Sequence, residues 1–171
     1  MSGEHTIDEE GDLLERLLAE MLQTEQSASE HPRKEAERLG AEQPPAAALL
    51  AVADHAERGL PELRAFCAAT PSRLGEMIGG TFSAVRDAVT DRFLGAEKSY
   101  RGTLLGLQHG IGCAVLTRAV AGTRRRTEVV EFCDRWLDER RPLVDACERQ
   151  IPWFATHVEQ ATDRATKSRS A

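Results

Sequence analysis

Nowhere do the 171 residues reach 18 consecutive apolar positions, so no membrane-spanning helix is expected. Positive charge is also scarce. Lys and Arg total 22 against 28 Asp and Glu, giving a net charge of -6. Affinity for phosphate backbones needs a basic surface, so nucleic acid is not the expected partner. The opening MSGEHTIDEEGD is acidic and polar, unlike a secretory leader, and a cytoplasmic protein is expected. Thirteen Gly and seven Pro are too few for a low-complexity chain. No pair among Cys67, Cys113, Cys133 and Cys147 has Cys-x-x-Cys spacing, so zinc ribbons and dithiol redox motifs are excluded. Buried, inert thiols are the expectation. Strand signals fail as well: β-branched runs are short and no Asn-Gly or Asp-Gly turn occurs. Hydrolase nucleophile elbows, phosphate-binding glycine loops and dinucleotide fingerprints are absent.

What remains is helical periodicity. Leu13, Leu14, Leu17, Leu18, Met21 and Leu22 form one apolar stripe from Asp12 to about Gln26. The stripe fades there, Pro32 is expected to interrupt the helix, and 41–45 reads as a linker. Pro45 suits a first helical position, and Leu49, Ala53, Ala56, Leu60, Leu63 and Cys67 run straight through Gly59 and Pro61. Thr70-Pro71 starts a further helix carrying Leu74, Ile78, Phe82, Val85 and Val89. The next, about Arg92 to Val120, aligns Phe93, Glu97, Tyr100, Leu104, Leu107, Ile111 and Ala114. The last starts near Thr127 and reaches Phe154, kinked at Pro142 and Pro152.

Short connections make consecutive helices antiparallel. The expected fold is therefore all-α: an up-down-up-down four-helix bundle over 44–160, preceded by an acidic amphipathic helix and linker over 1–43. A disordered tail over 161–171 follows.

The stretches LLAVADHAERGLPELRAF, VTDRFLGAEKSYRGTLLGL and VVEFCDRWLDERRPLVDAC, in this order and spacing, resemble the ferritin-like superfamily and its stress-associated bacterial branch. Iron sites of that fold use a Glu from each of two helices and a Glu-x-x-His from each of the others. No Glu-x-x-His exists here: Glu76 is followed at the His position by Gly79, and Glu139 by Pro142. The resemblance implies a bundle without an intact di-iron site, hence a non-enzymatic structural or protein-interaction module with no cofactor.

Two alternatives stay open. His55, Glu57, His109 and Glu139 fall at similar heights and could converge on iron or zinc. Trp136, Trp153 and Tyr100 could wall a small-molecule pocket in the core. Three further readings concern single groups. Glu97 is expected beside Arg149, Cys113 opposite Cys133, and Arg118 with Arg124, Arg125 and Arg126 forms the one basic cluster.

The sixteen residues Gly102–Thr117 carry no Asp, Glu, Lys or Arg. A helix uncharged all round needs cover on every side. Either the N-terminal helix folds back, laying Leu14, Leu18 and Leu22 on the ridge of Gly102, Gly106 and Gly110, or a second subunit packs there. A homodimer with the N-terminal helix in its interface is the expectation.

Overall fold

The computed structural model describes residues 5–69 and 95–162. The helix expected from Thr70 and most of the expected tail lie outside them. Among the described residues every regular element is a helix. α1 spans His5–Leu39, α2 Pro44–Ala69, α3 Ala96–Thr123 and α4 Thr127–Glu148, followed by the short α5 (Trp153–Thr156) and α6 (Val158–Thr162).

α1 does not break at Pro32. A proline inside a helix removes one backbone hydrogen bond and costs about 3 kcal/mol. Here the ring is fully buried, and Ala28 and Ala36 are buried either side of it. Packing along the whole of α1 outweighs the local preference. The helix ends at Gly40, whose φ of +92° is the left-handed conformation that glycine adopts freely. Gln43 N–H then donates to the Gly40 carbonyl at 3.0 Å, closing a turn that leads into Pro44. α2 runs through Pro61 as expected, and α4 through Pro142. α4 stops at Glu148 instead of reaching Phe154.

Each long helix packs against two others: α1 and α4 both lie beside α2 and α3. Arg33 of α1 reaches Asp54 and Glu57 of α2, both at 2.7 Å, while Glu25 of α1 lies beside Gly59. Ser99 and His109 of α3 meet Glu35 and Glu20 of α1. Tyr100 and Arg118 of α3 meet Cys147 and Asp134 of α4. Arg140 and Arg135 of α4 meet His55 and Glu62 of α2. In all four pairings the contacts run in opposite order along the two helices. α2 therefore ends beside Phe132, where Phe66 packs edge-on at 5.5 Å, whereas α3 begins at the other end, beside Glu35 and Cys147.

The N-terminal helix is thus a wall and not an appendage. Leu14, Leu17, Leu18 and Met21 are buried, with Leu22 packed partly against them. Of the two covers expected for the uncharged helix, fold-back is the one observed, and it covers only part. Gly110 faces Thr24 of α1, whereas nothing lies near Gly102, and Leu105 and Leu116 are exposed. By length and composition α3 could cross a membrane, contrary to the sequence expectation; one side of it is packed into the bundle core.

The core falls into two apolar clusters. One gathers Leu49, Val52, Tyr100, Leu104, Leu107, Val144 and Phe154. The other gathers Leu14, Leu18, Met21, Leu63, Val129, Phe132, Trp136 and Leu137. At the far end Gly95 allows a close approach, since a β-carbon there would lie 2.8 Å from the Ala161 carbonyl of α6.

Leu18 is 1% exposed. Leu18→Ala is expected to lower unfolding stability by about 3 kcal/mol through cavity formation, measured by urea denaturation. An unchanged midpoint would show that α1 is dispensable to the bundle.

Candidate functional site

A charged centre separates the two apolar halves. Glu25 of α1, His55 of α2 and Arg140 of α4 are 1%, 4% and 1% exposed. Burying a carboxylate and a guanidinium is costly unless each is paired and hydrogen-bonded. Arg140 Nη2 lies 2.8 and 2.9 Å from the two Glu25 oxygens. Its Nε donates to His55 Nδ1 at 3.0 Å. The guanidinium carbon also stands 4.6 Å from the centre of the Trp136 ring, a cation–π contact. Gly59 lies against the pair: a β-carbon there would meet Glu25 Oε2 at 3.4 Å and Trp136 Cδ1 at 3.7 Å, ordinary contact distances.

The hydrogen bonding sets the state of His55. Arginine only donates, so Nδ1 must accept and the ring proton sits on Nε2. Nε2 faces the exposed Glu139 carboxylate at 3.3 Å. Burial, then the nearby Arg140 and Arg58, depress the His55 pKa to about 4. Burial raises the Glu25 pKa, against the opposing pull of Arg140 and Trp136. Burial likewise lowers that of Arg140, with Glu25 opposing. The Trp136 indole N–H acts on the Glu25 carboxylate without reaching the geometry of a full hydrogen bond. It borders a shallow cavity of about 180 Å³ lined by His55, Arg58, Glu62, Arg135 and Glu139, among others.

Of the four residues expected at a metal, the structure brings two together, His55 and Glu139. Glu57 is held at the surface by Arg33. His109 pairs with Glu20 at 3.0 Å on the α1–α3 flank. Among the described residues no three His, Cys, Asp or Glu are grouped to hold a metal ion. Glu97 pairs with Arg101 one turn along and not with Arg149, although the Tyr100 hydroxyl, which donates to the Cys147 carbonyl at 2.8 Å, holds α3 and α4 in the expected register. Trp153 stacks on His157 at 4.0 Å and packs with Tyr100 on one apolar cluster, whereas Trp136 belongs to the other, so the three expected ring walls do not line one pocket. In the basic cluster, Arg118 pairs with Asp134 and Arg126 with Glu128.

Cys113, Cys133 and Cys147 are buried free thiols. Burial pushes their pKa values up to about 12, 11 and 11. A thiolate is the reactive form, so all three are chemically quiet at neutral pH.

Sequence reasoning missed Glu25 and Arg140. Their signal was nevertheless present. Glu25 continues the line Leu14, Leu18, Met21 at helical spacing, and Arg140 lies on the line Cys133, Trp136, Val144, Cys147. Each is a charge on a core line.

With this geometry in hand, the chain was compared with known proteins: no family model, curated protein or solved structure matches it.

Two outcomes are expected from the centre. Arg140→Met, which strands the Glu25 carboxylate, should destabilise by about 3–5 kcal/mol, and the Glu25→Met/Arg140→Met double variant should recover most of that loss. Losses that simply add would show the pair is not coupled. Stability should also fall as pH drops from about 6.5 to about 4. In that window the unfolded chain protonates His55 and the folded one does not, a term of up to about 3 kcal/mol. His55→Gln should flatten that part of the urea-midpoint profile; an unaltered slope would contradict the assignment.

Proposed function

We propose that the protein is a non-enzymatic, ferritin-like helical bundle without an intact di-iron site, acting as a structural or protein-interaction module. The observation that carries this reading is Arg140. A permanently charged guanidinium stands between the carboxylate of Glu25 and the imidazole of His55, where a metal-binding bundle would place a cation. That donor set does not fit two irons. Its one buried carboxylate and one buried imidazole are already engaged, and the other expected ligands, Glu57 and His109, are held elsewhere.

Topology supports the same reading. The antiparallel order of contacts around α1, α2, α4 and α3 is that of a four-helix bundle. α2 ends at one end of the arrangement and α3 begins at the other, as the helices flanking the single long crossover of ferritin-like folds do. In this reading α1 is the first helix of the four.

The interaction role rests on α3. Between Arg101 and Arg118 its outward face carries no charge, and Leu105, Val115 and Leu116 are 68%, 43% and 49% exposed. Exposed apolar side chains gathered on one helix face mark a contact surface more often than scattered ones do.

Ferrous iron added aerobically to purified, untagged protein is expected to consume oxygen no faster than it does in buffer, and zinc titration to give no stoichiometric heat. Rapid iron-dependent oxygen uptake would overturn the non-enzymatic reading, and tight stoichiometric metal binding would establish a metal-binding bundle instead.

A further inference from the structure

The open face of α3 has a pattern that fits itself. Along its centre run Leu105, Gln108, Gly112, Val115, Leu116 and Ala119, all exposed. Nothing lies within 4 Å of the position a β-carbon on Gly112 would take, so the helix has a notch there. Laid antiparallel against a second α3, with the two-fold axis passing near residues 110–111, the strip matches its own copy. Gln108 falls opposite the Gly112 notch, and Leu105 falls opposite Val115 and Leu116. A protruding side chain meets a gap, and apolar meets apolar, twice by symmetry.

Charge agrees with this register. The strip itself is neutral. At each of its ends Glu97, Lys98 and Arg101 of one copy fall near Arg118 and Asp134 of the other, so that unlike groups meet. A parallel arrangement would instead stack identical ends, Arg101 on Arg101 and Arg118 on Arg118.

We propose that the partner of this surface is a second copy of the chain, docked through an antiparallel α3–α3 contact with Gln108 seated over Gly112. The inference rests on the interaction reading above and deepens it. The strip is about 21 Å long and one helix wide. That is well short of the roughly 800 Å² per partner of a standard interface, so the association is of the weak, micromolar class.

The test uses the full chain. Sedimentation equilibrium from low to high micromolar loading should show the average mass rising from the 18.8 kDa of one chain toward twice that. Leu105→Glu is fully solvated in the monomer and should fold normally by circular dichroism while losing at least tenfold in association. Orientation is read by cross-linking in a Cys67→Ser background. Gly112→Cys lies near the axis and should form a disulfide dimer under mild oxidation. Arg101→Cys lies about 28 Å along the axis from its own copy and should not. Cross-linking of Arg101→Cys, with or without that of Gly112→Cys, would overturn the antiparallel register. Wild-type protein that stays monomeric at several hundred micromolar would overturn the second copy as occupant. Neither failure touches the Arg140 reading, which is tested by metal binding and unfolding.

Discussion

Arg140 is the residue on which the rest of the bundle turns. A guanidinium with 1% exposure needs several oriented acceptors, and they come from two other helices: Glu25 from α1 and His55 from α2. α1 and α4 lie on opposite corners of the arrangement, with their principal neighbours being α2 and α3. The guanidinium therefore adds a charged tie across a diagonal whose apolar side chains also share one cluster. It also sets the register. Sliding α1 by one turn would place Met21 or Ser29 against Arg140 and leave a buried charge unpaired, a penalty of several kcal/mol. Apolar side chains can slide past one another at much lower cost, so the two hydrophobic halves gain their fixed alignment from the charged layer between them.

The same layer explains features that look unfavourable in isolation. Pro32 lies two turns of α1 from Glu25 and remains helical because the helix is clamped on both sides of it: by Glu25 below, and by Arg33 and the Glu35–Ser99 hydrogen bond of 2.6 Å above. His55 is kept neutral by a donor on one side and supplies a proton toward Glu139 on the other, which makes it the pH-sensitive member of the layer.

α3 stands apart from the other walls. Its inner side is tied through Tyr100, Ser99 and Cys113, and its outer side shows leucine, valine and glycine to solvent. A helix built only for a monomer would carry charge on that side, as α4 does with Glu131, Asp134, Arg135 and Asp138. The rigid inner attachment gives the outer face a fixed shape, and a fixed shape is what a docking surface requires.

Helix content was legible in the sequence because the apolar spacing in α1, α2 and α4 is a local property of the chain. The uncharged run of α3 was legible too. The ends of α1 were not. Pro32 argues for a break as long as only neighbouring residues are considered, and its burial depends on α2. The candidate site was half legible. His55 and Glu139 could be placed at one height by counting from the turns, but counting gives height and not azimuth, so Glu57 and His109 were grouped with them although Arg33 and Glu20 hold those side chains on other faces. Glu25 and Arg140 each stood on a core line, and a charge on such a line demands a partner. Which charge meets which was decided by the side-by-side placement of helices 115 residues apart in sequence. The sequence by itself determined that helices form and which faces are apolar, since both follow from periodicity along one segment. Only the tertiary structure decided that α1 is a wall of the bundle, that a guanidinium fills its centre, and which side of α3 remains open, because each depends on where distant segments lie in space.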